Sequence, residues 1–270
     1  MTFMYNRQFM RKQSNSMAAK EIRKKLFVIL FWLALWQGLS VLVGNAILLV
    51  GPVETLYALR RLVPEVRFWE EVAGTAGKVL GGFALGGLSG IVCAGIGYRF
   101  RIVREILAPF LSVIRSVPIV SFVILLLIWQ GSGRISFFIS LMVVFPILYG
   151  NTLNGLLGMS DELVQAAKLL QVSLPERIFG IYLPEIYPEM KSGLELAIGM
   201  GFKSGIAAEV IGQPVGSIGN ALYQSKIFLE TDSVLAYTFT AICVSWIAEK
   251  FFVFLWSRFF GRRDGSKLDR

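Results

Sequence analysis

Lys78, Arg115, Glu195, Lys203, Glu209 and Lys250 stand inside stretches that are otherwise apolar. A charge near the centre of a bilayer costs on the order of 2.5–3.5 kcal/mol by insertion scales, so each of the six is a candidate for function. Lys78, Glu195 and Lys250 fall near the ends of their stretches, where a long side chain carries its charge to the interface. Arg115 and Lys203 lie deeper and are best placed to line a path. Two inward cations suit an anion such as a sulfonate or an oxyanion. Glu209 is the candidate counter-charge: it joins them along the path, or pairs with Lys203 or Arg115 between helices.

Other chemistries are poorly supplied. Histidine, the commonest general base and transition-metal ligand, is absent. Cys93 and Cys243 sit in apolar segments without a Cys–His cluster, which reads as packing rather than a metal or disulfide site. Gly199-Met-Gly201-Phe-Lys203-Ser204 lacks the Gly-x4-Gly-Lys-Ser/Thr spacing of a phosphate loop and lies within an apolar stretch. No paired carboxylates or metal constellation mark an enzyme, so no catalytic residue, metal or cofactor is assigned to this chain.

The elements that must position these charges are membrane spans. Mean hydropathy is +0.63 and 55% of residues are hydrophobic, above the roughly 45–50% of soluble domains. Leu26–Val53, Ile135–Ser160 and Ser233–Ala248 carry no charge at all. Spans are expected at about 26–50, 72–98, 106–129, 135–157, 193–212 and 233–257, giving an all-α membrane protein of six transmembrane helices. The first span reads as retained rather than as a cleaved signal peptide, since its apolar stretch is long and no small-residue cleavage site follows. In span two, Gly82-x3-Gly86-x3-Gly90 places small residues on one helix face, which permits close helix approach.

The net charge of +9 is not a nucleic-acid footprint. Eighteen Lys and Arg fall in the 1–25 arm, the 99–104 loop, the 158–192 loop and the end of the chain from Arg258, against five (Arg60, Arg61, Arg67, Arg134, Lys226) in the opposite connections. That bias places both termini in the cytoplasm. The organisation is therefore a cytoplasmic arm (1–25), a transmembrane domain (26–258) with a polar cytoplasmic loop (158–192), and a cytoplasmic tail (259–270).

The polar loop reads as helix, turn, helix. Ser160 can cap a first helix whose start is acidic through Asp161 and Glu162. Leu163, Ala166, Ala167 and Leu170 follow at helical spacing as a small apolar face. Ser173-Leu-Pro-Glu176 is a capping box with proline in the first turn, starting a second helix over 173–183 that ends near Pro184.

Gln165-Ala166-Ala167 followed by Ile181-Tyr182-Leu183-Pro184 resembles the cytoplasmic Glu-Ala-Ala loop of bacterial ABC importer permeases. Arg115-Ser-Val-Pro118, Ile128-Trp129-Gln-Gly131, Phe145-Pro146-Ile147, Asn151-Thr152 with Gly155, Ala208-Glu209 and Gly216-x-x-Gly219 extend the resemblance over roughly 70–258, towards the permeases of the nitrate/sulfonate/taurine uptake group. Two positions depart from the pattern: Gln165 replaces its acid, with Glu162 one turn earlier, and Gln171 replaces its glycine.

The resemblance implies the type I ABC importer permease fold, with cytoplasmic coupling helices, in a bacterial plasma (inner) membrane. It implies a second permease copy, two ABC ATPase subunits that bind ATP and Mg, an extracytoplasmic substrate-binding protein, surrounding lipid, and no nucleic acid. It assigns ATPase coupling to Glu162, Leu163, Gln165, Ala166, Ala167, Leu169 and Leu170, and leaves Lys203, Arg115 and Glu209 as path candidates. A thiamine precursor or other heterocycle is the alternative cargo. An ion-coupled secondary transporter is the competing class, and the 158–192 loop speaks against it.

Overall fold

The computed structural model describes residues 2–260; the expected tail lies, beyond residue 260, outside the described residues. The chain is 86% helix, with no strand among the described residues. The helices are α1 (Thr2–Val43), α2 (Pro52–Leu62), α3 (Val66–Arg99), α4 (Arg101–Ser116), α5 (Ile119–Gln130), α6 (Ile135–Leu157), α7 (Asp161–Leu169), α8 (Leu174–Arg177), α9 (Leu183–Glu185), α10 (Tyr187–Gly212), α11 (Ile218–Ile227) and α12 (Thr231–Phe260); a π-turn over Ile178–Tyr182 joins α8 to α9.

The arm and first span form one helix, α1. At its far end the Trp36 indole N–H donates to the Val50 carbonyl (2.9 Å) and the Ser40 hydroxyl to that of Leu49 (3.0 Å), folding the following turn back on it. The connections expected at 51–70 and 213–232 contain helices of their own, α2 and α11, and α3 starts six residues before the expected span two. Pro52 opens α2, where its missing N–H is harmless.

Span three is the main correction. It is two helices, α4 and α5, meeting at 98°. Val117 is extended (φ −75°, ψ 132°) and Pro118 caps α5. Proline pushes the residue before it out of the helical region, which ends α4 there. Among the described residues, four helices are long and apolar enough to cross a membrane, and the bent pair supplies a fifth crossing if counted as one span. At 26 residues α10 is long enough, about 39 Å, but glycines and charges keep it out of that group.

The centre of the fold is α3 against α6. The expected glycine stripe meets a matching row of carbonyls: a Cβ on Gly82 would strike the Phe137 carbonyl oxygen, and one on Gly86 or Gly90 would lie 2.7 Å from that of Leu141 or Phe145. Both rows repeat every four residues, so backbone lies on backbone for two turns. Val79, Phe83, Val144, Leu148, Ala197 and Phe202 fill the space between α3, α6 and α10.

At the opposite end from α7, buried Glu71 accepts from the Tyr237 hydroxyl (2.6 Å) and from Arg67 Nε (3.0 Å), tying α3 to α12. Arg61 reaches Ser233 (3.0 Å) from α2.

Candidate functional site

The loop between α6 and α10 folds as its residues suggest. The Ser160 hydroxyl accepts the Leu163 N–H at 3.3 Å, capping α7. The chain turns at Gln171, which takes the left-handed conformation (φ +50°) without being glycine. The Ser173 N–H then donates to the Glu176 carboxylate at 3.2 Å as one arm of the capping box, and the Arg177 side chain donates to the Val172 carbonyl at 2.7 Å. The second helical run extends to Glu185 rather than stopping at 183. Pro184 has no N–H to offer one turn back, and the helix passes it by widening: the Leu183 N–H bonds the Ile178 carbonyl five residues earlier.

Burial decides which residues this segment presents. Val164 packs on Leu156, Met159 and Ile186. Ala167, one turn on, is 3% exposed. Ala167, expected among the coupling residues, is covered by its own chain, and Leu163 is half-buried beside it. Glu162, Gln165 and Ala166 face out, followed by Leu169 (83% exposed) and Leu170 (77%), with Leu174 and Phe179 exposed on the adjoining run. Together these residues form an exposed apolar patch around a small alanine.

The three path candidates separate. Lys203 is exposed on α10, on the strip that carries Leu196, Ala207 and Ile211. Arg115 is exposed near the end of α4, and its Nη2 donates to the Pro146 carbonyl at 2.8 Å. Neither makes an ion pair among the described residues.

Glu209 is fully buried within the protomer, and the pairing with Lys203 or Arg115 is corrected: it makes no ion pair among the described residues. Its carboxylate accepts from Thr75 (2.8 Å) on α3, Ser136 (2.8 Å) on α6 and the backbone N–H of Gly219 (3.3 Å) on α11. A carboxylate held by three donors from three other helices is a structural tie. Glu71, the other buried carboxylate, escaped the sequence reading because it fell where a connection meets span two.

Residues 86–263 match the family of binding-protein-dependent transport system inner membrane components. The chain belongs to this family. The permease is 27% identical to the aliphatic sulfonates transport permease SsuC of Bacillus subtilis over 76% of this chain and 74% of that protein. It is 31% identical to the taurine permease TauC of Escherichia coli over 50% and 49%, and 25% identical to the nitrate import permease NrtB of Synechococcus elongatus over 72% and 73%. The permease is an inner-membrane, multi-pass subunit of an ABC importer in the nitrate/sulfonate/taurine group. ATP hydrolysis belongs to a separate subunit, and the family implies ATPase and binding-protein partners.

Proposed function

We propose that two copies of this permease enclose one translocation path for a small anion, each with six crossings and both termini cytoplasmic, and that each docks an ATP- and Mg-binding ATPase through the 158–192 segment. The single observation that carries the coupling assignment is the outward surface of Gln165, Ala166, Leu169 and Leu170, held by capped helices next to the bundle. An anionic cargo is supported by the exposed, unpaired cations Arg115 and Lys203. The relatives named above, for sulfonates, taurine and nitrate, agree in that chemistry.

Co-purification in mild detergent tests it. Wild-type permease should carry a stoichiometric ATPase, and Leu170→Asp should lose it while keeping its own thermal stability. An ATPase retained by Leu170→Asp moves the docking surface elsewhere.

A further inference from the structure

Behind Arg115, a groove of about 530 Å³ runs between α4 and α6. Arg104, Ser112 and Arg115 line it from α4, and Tyr149, Gly150 and Asn154 from α6. Arg104 and Arg115 are eleven residues apart, about 16 Å along the helix, and neither has a carboxylate partner among the described residues. Tyr149 is 4% exposed, yet its hydroxyl finds no hydrogen-bond partner. The groove therefore holds two guanidinium groups without an acidic partner among the described residues, and no acid lines it. An uncompensated guanidinium within a bilayer, as at Arg115, is expensive. An anion offsets that cost, since a guanidinium fork matches an oxyanion with two parallel N–H donors.

The backbone makes room for this arrangement. A Cβ on Gly150 would come within 3.0 Å of Arg115 Nη2, so glycine lets the fork lie flat against α6 while it bonds the Pro146 carbonyl. Tyr149 and Arg104 both abut Gly97 of α3, and a Cβ there would lie 3.3 Å from the Tyr149 hydroxyl.

We infer that this groove is the lane by which the transported anion leaves the path for the cytoplasm, with Arg115 as its inner station, Arg104 at its mouth and Tyr149 on its wall. The inference rests on the anionic-cargo reading and the orientation proposed above, and adds the route and two residues, Arg104 and Tyr149. The separation of the arginines means that one small anion meets them in turn. It is handed on rather than trapped, as conduction past fixed charges requires.

The test uses the full complex of permease, ATPase and binding protein in proteoliposomes, with nitrate and butanesulfonate as probes. Arg115→Gln should cut uptake at least tenfold and Arg104→Gln several-fold, with binding-protein-stimulated ATP hydrolysis retained. Gly150→Ala should lower uptake by displacing the fork, and Arg101→Gln, outside the groove, should leave it unchanged. In parallel, either probe anion should protect Arg115 of the wild-type complex from phenylglyoxal, saturably, where glucose does not. Should Arg115→Gln fail to assemble, the labelling decides. Uptake of neither anion by the wild type overturns the anionic-cargo reading itself. Wild-type uptake that survives Arg115→Gln, or labelling unchanged by either anion, overturns the groove and leaves that reading standing.

Discussion

The Thr75 hydroxyl donates to the Glu209 carboxylate at 2.8 Å and accepts the Ile218 N–H at 2.8 Å. One side chain of α3 thus joins α10 to the start of α11. Thr75→Val keeps the shape and strips both bonds, leaving two buried groups short of a partner at about 1–3 kcal/mol each. A lower melting temperature in detergent is expected, with ATPase docking intact in the protein that remains folded. An unchanged melting temperature would mean that the tie carries no stability.

The glycine–carbonyl contact makes a graded prediction. Gly86→Ala places a Cβ 2.7 Å from the Leu141 oxygen, and backbone cannot yield as a side-chain end can. Overpacking of this kind costs about 1–3 kcal/mol. Gly77→Ala on the same helix meets nothing within 4 Å and should be neutral or slightly stabilising. Thermal unfolding of the two variants side by side checks the contrast.

Gln171 carries a left-handed backbone that costs an L-residue roughly 1–2 kcal/mol. Gln171→Gly should relieve part of that strain and slow amide exchange through 158–192. Gln171→Val should speed it. Faster exchange in the glycine variant would show that flexibility, not strain, limits this turn.

Ala166 and Ala167 are neighbours in sequence with opposite surroundings, exposed and 3% exposed respectively. Ala166→Arg should block ATPase docking and leave the permease folded. Ala167→Arg forces a guanidinium against Val164 and its neighbours and should destabilise the segment itself. Melting curves paired with co-purification separate the two outcomes.

Spacing in the sequence carried much of the local structure. The Gly82, Gly86 and Gly90 register and the Ser160 and Ser173 caps all appear where the residues put them. Each is a contact between near neighbours or a helix face with its own period. Proline 118 also announced the break after Val117, because it restricts the residue before it, but a continuous apolar run obscured that signal. What spacing could not reveal was partnership across the bundle. Nothing local to Glu209 distinguishes a path residue from one enclosed by Thr75 and Ser136. Likewise, a helical period gives the face shared by Val164 and Ala167 without saying that it is the face turned inward.

Where α3 lies on α6, no side chain stands between Gly86 and the Leu141 carbonyl to absorb a small slip by changing rotamer. The next register that returns glycine beneath carbonyl is four residues away, about 6 Å along the axis. Intermediate settings drive a carbonyl towards a neighbouring Cβ. The two helices are therefore keyed together like a splined shaft, and a slide of one along the other by less than that step is blocked.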